Sequence, residues 1–443
     1  MHQYDLLNLD TLHTSNLIDE GDHYIIEVDG QGIPGCCPHC QTEGPYRHGT
    51  QQQQYIDIPM HGKPVLLRVD RARFRCKGCG KTFFSHLPDI DPKRKASTRF
   101  VKYIEQESLK KTFALLSRET GIDEKTIKNI FNDYVDRLGT EIRFETPEFL
   151  GIDELKIIGE YRCMITNVNE LSVFDLLPNR RKVDLMTYFK SMPDKHKVKV
   201  VTMDMWRTYK DVVNAQLPGR DIVVDRWHVV RMANDALEGV RKRIRKGLNS
   251  RQRIKLKDDR FILLEREHNL SPDQREKMQH WFELHPELEL AYRAKESFHE
   301  IYTCGSKAEA QEFARAWVRS LPSDIEFAFD ASRTALTNWW DEIFNFYDHR
   351  VTNAYTESTN RLAKDINRMG RGYSFEVMRA RLIYEKQARK PSTKLRGHKS
   401  KKGVPDNDWS RFYSLELDEE VKTIEYGPHI PTLCDLLEKV YFS

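Results

Sequence analysis

Two sets of side chains in this sequence are spaced for metal chemistry. The first is acidic. Asp153 lies in the apolar run FLGIDEL, Asp204 closes the run KVKVVTMDMW, and Glu357 sits in TNAYTESTNRLAKDINRM. Carboxylates brought together repel unless a cation sits between them. Mg²⁺ suits such a place because it prefers hard oxygen ligands and keeps positions for water and phosphate. Two Mg²⁺ ions (or Mn²⁺) held by Asp153, Asp204 and Glu357 would serve in-line displacement at a phosphodiester. Glu342, Asp348 and Glu376 compete with Glu357 as the third acid.

The second set is sulfur. Residues 37–40 read CPHC and 76–79 read CKGC. Two C-x-x-C pairs are the signature of a closed tetrahedral Zn²⁺ site with Cys37, Cys40, Cys76 and Cys79 as thiolate ligands. Cys36 is an alternative to Cys37. Four of the eight cysteines fall in these pairs, which fits one structural zinc in a reducing compartment better than a disulfide framework. Alternating runs such as PVLLRV lie between the pairs and predict a β-ribbon joining them. Arg71, Arg73, Arg75, Lys77 and Lys81 surround the second pair and are either phosphate contacts or solvated surface.

Positioning the acids requires strands. FLGIDEL, YRCMITNV and LSVFDLLP read as three strands. RKVDLMTYFKSM is a helix with Val183, Met186 and Phe189 along one side. KVKVVTMDMW and DIVVDRWHVV are further strands, each leading into a helix. This is the order of a ribonuclease-H-like core, in which the first and fourth strands are neighbours, so Asp153 and Asp204 would meet. Glu357, Asn360, Arg361 and Lys364 share one face of a helix, with Leu362, Ile366 and Met369 on another, expected against the sheet. His228 either orients the acids, touches the phosphate-bearing strand, or is a structural histidine. Trp206 and Trp227 read as core.

Ahead of the core, the basic stretch DPKRKASTR precedes KTFALLSRETGIDEKTIKNIFNDYV. Gly121 supplies a turn, Asp123 an N-cap, and Ile127, Ile130, Phe131 and Tyr134 a buried stripe. The pattern is a helix-turn-helix whose second helix would turn Lys125, Thr126, Lys128 and Asn129 to DNA. The interval between Asp204 and Glu357 is too long for a compact core and is rich in helical patterning. It contains RKRIRKGLNSRQRIKLK (241–257), nine cations and no acid, from which Arg241, Lys242, Arg243, Arg245 and Lys246, with Arg361 and Lys364, are expected DNA-backbone contacts. A second run, Lys386 to Lys402, holds eight cations and reads as a loop that clamps DNA.

Taken together, these motifs resemble the DDE transposases of bacterial insertion sequences, specifically the ISL-three family. The resemblance rests on the paired knuckles, the helix-turn-helix, GIDE, VTMDMW, VVDRWHVVRMAN, TNAYTESTNRLAK and GYSFEVMRARLIY, in that order. It implies that Asp153, Asp204 and Glu357 are the catalytic metal ligands and that His228 belongs to a D-x-x-H element with Asp225. Ala354 and Ser358 stand where the family usually has glycine.

The expected protein is multidomain α/β. A zinc-knuckle β-ribbon (1–90) and a helix-turn-helix (91–147) precede a ribonuclease-H-like core (148–228 and 346–390). An all-α insertion (229–345) interrupts the core, and a basic linker with a C-terminal appendage (391–443) ends the chain. Its expected activity is metal-dependent cleavage and transfer of DNA strands. The partners are the terminal inverted repeats and target DNA, bound by a homodimer. An inactive DNA-binding regulator and a repair nuclease are the alternatives. No apolar run is long enough for a membrane span and no signal peptide is visible, so a cytoplasmic, nucleoid-associated protein is expected, with no membrane partner.

Overall fold

The computed structural model describes residues 7–30 and 33–384. The run from Lys386 to Lys402 and the C-terminal appendage lie outside the described residues.

The N-terminal sheet has the order β1-β2-β4-β3, with β5 on the far end of β4. Its strands are β1 (His13–Asp19), β2 (Tyr24–Asp29), β3 (Tyr46–Met60), β4 (Lys63–Arg75) and β5 (Thr82–Phe84). β3 and β4 form the long antiparallel ribbon, turning at His61 and Gly62, both at positive φ. Val65, Leu67 and Val69 alternate along β4 into a small core with Leu12, Ile26 and Val28, the period-2 burial of a half-buried strand.

Three helices follow: α1 (Thr98–Ser108), α2 (Phe113–Thr120) and α3 (Glu124–Glu141). Ser97, Thr112 and Asp123 each cap the helix they precede by accepting a backbone N–H. Gly121 ends α2 in the left-handed region (φ 75°), and Ile122 is buried in the turn. Ile127, Ile130, Phe131 and Leu138 bury one stripe of α3, while Tyr134 is only half-buried.

The second sheet carries the acids. Its order is β10-β9-β6-β7-β8. The strands are β6 (Phe149–Ile157), β7 (Glu160–Asn167), β8 (Ser172–Leu177), β9 (Val200–Met203) and β10 (Asp221–Val224). β6, β7 and β8 are antiparallel neighbours, whereas β9 and β10 run parallel to β6. This is the ribonuclease-H-like order expected from the sequence. α4 (Lys182–Ser191), α5 (Arg207–Gln216) and α6 (Arg226–Lys246) connect and follow these strands. On α4 the buried residues are Leu185 and Phe189, and Val183 is exposed.

Beyond α6, no strand occurs among the described residues. A helical array of α7 (Ser250–Asp258), α8 (Arg260–Leu264), α9 (Pro272–Leu284), α10 (Pro286–Glu300), α11 (Lys307–Ser320), α12 (Ser323–Glu326), α13 (Asp330–Asn338), α14 (Trp340–Phe344) and α15 (Phe346–His349) intervenes before α16 (Ala354–Gly370) and α17 (Phe375–Ile383). Trp281, Tyr292, Phe298, Trp317, Phe329 and Phe344 fill its interior, and their cluster runs on to Val200, Val223 and Val224 at the edge of the sheet. A different cluster joins the helix-turn-helix to the other side of the sheet. Phe113, Ile127 and Phe131 pack in one apolar mass with Leu155, Met164, Leu176, Tyr373 and Met378.

Candidate active site

Register brings the first two acids together. β6 and β9 are parallel, with Ile152 opposite Met203, so Asp153 and Asp204 each follow the same paired position. The two carboxyls are therefore neighbours across the paired strands. Asp153 is buried. Its Oδ1 accepts the Glu154 backbone N–H at 2.7 Å and its Oδ2 accepts the Asn360 amide of α16 at 2.6 Å. Asp204 Oδ2 lies 3.2 Å from His228 Nε2, and the same nitrogen is 3.3 Å from Glu357 Oε1. Asp153, Asp204, His228 and Glu357, from two strands and two helices, therefore converge on one place.

The helix carrying Glu357 is fixed by one buried amide. Asn353, immediately before α16, donates its Nδ2 to the Ile152 carbonyl of β6 (3.1 Å) and accepts the Thr202 hydroxyl of β9 (3.0 Å). Its backbone N–H donates to Asp225 Oδ2 at 3.0 Å. Asp225 in turn caps α6 by accepting the Trp227 N–H at 2.7 Å. Two residues thus tie together both acid-bearing strands and the first turns of the helices that present His228 and Glu357. Gly151 permits the close approach. A Cβ there would lie 2.3 Å from the Thr356 hydroxyl and 2.4 Å from that of Thr166, two hydroxyls that bond to each other at 2.7 Å.

This packing reverses the expected faces of α16. Leu362 and Met369 point outward, Ile366 is only half-buried, and Thr356, Thr359, Asn360 and Ala363 meet the sheet. Small and polar side chains let the helix sit close over Gly151, which leucine and methionine would prevent. Arg361 and Lys364 are exposed on the same helix.

Electrostatics follow from burial. Loss of water pushes Asp153 up to about 6, and burial with the adjoining Asp153 pushes Asp204 up to about 7. Burial pulls His228 down, but the Glu357 hydrogen bond and the facing carboxylates outweigh it and leave the imidazole raised. Asp204 Oδ1 is buried with no hydrogen-bond partner. All-oxygen donors, two carboxyls raised by burial and an unpaired buried oxygen fit a hard divalent cation. Among the described residues the four thiols have ligand atoms all within 4.8 Å of one another, whereas the three carboxylates do not gather that closely.

A cleft of about 350 Å³ opens beside Asp204 and His228, lined also by Arg180, Trp206 and Arg231. Arg180 pairs with Glu154 and lies 4.7 Å from the Trp206 ring centroid. Trp227, expected in the core, is 50% exposed, because it faces outward from the first turn of α6 with Arg231 stacked on it at 5.1 Å.

The zinc site is assembled at the strand ends. Cys37, Cys40, Cys76 and Cys79 place their sulfurs within 4.8 Å of one another, with Cys37–Cys79 at 3.8 Å and Cys40–Cys76 at 3.5 Å. Four sulfurs each ~2.3 Å from one tetrahedral ion lie about 3.8 Å apart. The His39 N–H donates to Cys37 Sγ, and the Gly78 and Cys79 N–H groups donate to Cys76 Sγ, so each knuckle wraps a sulfur. Cys36 is exposed and bonds to Gln41 instead. Arg71 turns inward to Gln53, Tyr55 and the Ser85 carbonyl, and Arg73 and Arg75 bond to Thr82 and Gly80, so these arginines brace the second knuckle.

On α3, Lys125, Lys128 and Asn129 are exposed. Thr126 is half-buried, its hydroxyl donating to the Asp123 cap at 2.7 Å. The expectation for Arg241 is overturned. It is 3% exposed, donates to both Glu238 oxygens and to the Leu256 carbonyl, and cannot face DNA from there. Arg243 is paired with Glu287 and Arg245 donates to the Arg253 carbonyl, whereas Lys242 and Lys246 are exposed.

Sequence reasoning missed Asn353, Gly151 and the Thr166–Thr356 pair. The one available signal was the asparagine directly before a predicted acid-bearing helix.

Comparison with known proteins agrees with this geometry. A family model described as Transposase matches residues 150–382. Models described as the zinc-finger of transposase IS204/IS1001/IS1096/IS1165 and as the helix-turn-helix domain of transposase family ISL3 match 33–79 and 85–135. The chain is 21% identical over 346 residues to the transposase for insertion sequence element IS1001 of Bordetella parapertussis, covering 76% of this chain and 85% of that protein. With its zinc ribbon, its helix-turn-helix and more than half its length matched in order, the chain belongs to the ISL3 family of transposases.

Proposed function

We propose that this transposase binds the terminal inverted repeats of an insertion sequence and cuts and joins DNA strands at Asp153, Asp204 and Glu357. These three carboxylates would hold two Mg²⁺ (or Mn²⁺) ions. Bound there, the ions would offset negative charge on the attacking and leaving oxygens of a phosphodiester. The observation that carries the reading is His228 held between Asp204 and Glu357, with Asp153 beside Asp204 on the paired strand and Asp204 Oδ1 buried and unpartnered.

The chain's own residues set up an in-line displacement. Water attacks the phosphorus at the transposon end, the P–O3′ bond breaks, and a 3′ hydroxyl is released. That hydroxyl then attacks a phosphodiester of target DNA, displacing another 3′ oxygen. The number of phosphodiester bonds is unchanged in the second step, so no nucleotide cofactor is needed. Asn360 holds Asp153 in one orientation. His228 spans Asp204 and Glu357 and can take or return a proton at Nε2. Arg180 and Arg231, on the walls of the adjoining cleft, would position phosphate.

Lys125, Lys128 and Asn129 of α3 would read the terminal repeat, and Lys242, Lys246, Arg361 and Lys364 would contact backbone. Because two transposon ends must be held together, a homodimer on DNA is the assembly proposed. The test is Asp204→Asn. Nicking of end-bearing DNA with Mg²⁺ should be lost while DNA binding persists. Cleavage that survives this change would refute the site, and absence of cleavage by the unaltered protein with either Mg²⁺ or Mn²⁺ would favour an inactive regulator.

A further inference from the structure

A groove lined by described residues lies away from the acids. It has a volume of about 930 Å³ and runs between the outer strand β3 at Gln51–Ile56 and the segment His86–Lys95. We propose that this groove is a second DNA-backbone surface, gripping duplex that flanks the sequence read by α3. The inference rests on the end-binding role proposed above.

Its walls are built for an anion. β3 is the edge of its sheet. At Ile56 the following segment is zipped to it, with Ile56 N–H donating to the Lys95 carbonyl and Ser97 N–H to the Ile56 carbonyl. Beyond that closure the strand edge and the Gln51 and Gln54 amides face open space, and both amides are exposed. Lys93 and Lys95 stand exposed on the opposite wall, and neither ammonium is paired with a carboxylate among the described residues. The one acid in the lining, Asp91, is already engaged, because its Oδ1 accepts the N–H groups of Lys93 (2.9 Å) and Arg94 (2.8 Å) and so shapes the arm. Amides and ammonium groups without carboxylate partners are the side chains that bind phosphate oxygens.

The groove is also continuous with the recognition helix. Arg94 pairs with Asp133 at 2.8 Å. Asp133 shares an α3 face with Lys125 and Asn129 and sits about 6 Å along the axis from Asn129. The basic arm is therefore pinned beside the helix face that would enter the major groove. Duplex engaged by Lys125 and Asn129 would pass next to Lys93 and Lys95.

The experiment uses the full-length zinc-loaded protein and a duplex carrying the terminal repeat that borders its own gene, with affinity measured by anisotropy across a salt series. The Lys93→Ala/Lys95→Ala variant should lose roughly tenfold in affinity near 0.1 M salt, and the log–log salt slope should flatten by about 2, one unit per phosphate contact. The ratio of specific to non-specific binding should hold, and hydroxyl-radical protection should disappear beside, not within, the α3 footprint. Lys128→Ala is the control, and zinc content reports on folding. If Lys128→Ala weakens binding while the double variant keeps wild-type affinity and slope, the groove proposal is overturned and the end-binding role stands. If the unaltered protein does not bind the duplex, both fall.

Discussion

The Asn360 amide donates to the Asp153 carboxylate across 2.6 Å, linking a helix to a strand far from it in sequence. Together with the Glu154 N–H on the other oxygen, it holds the Asp153 carboxyl in one orientation. Asn360→Ala removes a hydrogen bond to a buried carboxyl, worth about 1–3 kcal/mol. We expect a ten- to hundredfold fall in nicking rate with a raised Mg²⁺ requirement, measured by metal titration of single-turnover cleavage. Unchanged metal dependence would show that Asn360 serves only the packing of α16.

Gly151→Ala tests the close approach. A methyl group 2.3 Å from the Thr356 hydroxyl forces α16 off the sheet. The expected cost is about 1–3 kcal/mol by urea unfolding, with a larger fractional loss of cleavage because Glu357 rides on that helix. Loss of stability without loss of cleavage would separate the helix's position from the chemistry.

Metal-free stability should depend on pH in a defined direction. Asp153 and Asp204 are raised to about 6 and about 7 from 3.8, so the folded state holds more protons than the unfolded state between about pH 4 and 7. Stability from these groups is present at the acid end and is lost as pH rises through that window. The raised His228 pKa acts in the same sense at higher pH, since its stabilising proton is released there. Asp204→Asn should therefore melt higher than the wild type in chelator at pH 7–8, with the advantage vanishing near pH 4. Mg²⁺ should reverse the order at neutral pH. A melting difference independent of pH would contradict the assignment.

Arg241 and Lys242 are neighbours with opposite expected outcomes. Arg241→Ala leaves Glu238 buried with its main partner gone, and truncating one member of a buried pair costs about 3–5 kcal/mol. Lys242→Ala should leave the denaturation midpoint alone and flatten the salt dependence of DNA binding by about one unit. Urea unfolding and anisotropy on the two variants decide this.

Zinc removal should act on DNA binding before cleavage chemistry. Cys76 is buried at the end of β4, and its sulfur accepts two knuckle N–H groups. Cys76→Ser should abolish stoichiometric zinc and the near-ultraviolet signal of the N-terminal module, and end-binding should drop at least tenfold. Full binding without zinc would mean that the ribbon is held by its small apolar core alone.

Much of the frame was legible because it depends on local periodicity. Alternating and continuous apolar runs marked β4, β6 and β9, and the acid within one run met the acid closing another once the strands paired in parallel, although Asp153 lies mid-strand rather than at the strand end. Asn353 and Gly151 were not legible, since their roles come from partners on other elements. The faces of α16 were misread because hydrophobicity predicts burial against a roomy core, whereas this helix lies over a glycine that only threonine, alanine and asparagine can approach. Arg241 was misjudged by counting charges. Glu238, three residues earlier on the same helix, was the available sign that this cation had a partner. Trp227 shows the reverse error, a large ring assigned inward that lies at a helix start on the surface.

The apolar mass shared by the helix-turn-helix and the sheet fixes a length. Phe113 packs on Tyr373 at 5.7 Å, and Arg381 lies over both rings while donating to the Lys111 carbonyl. If α3 reads the repeat and the acids cut it, as proposed, the two are joined in a way that prevents one swivelling on the other to suit a differently spaced site. Moving the scissile bond by half a helical turn relative to the bases read by α3 should defeat cutting even when every base contact is kept.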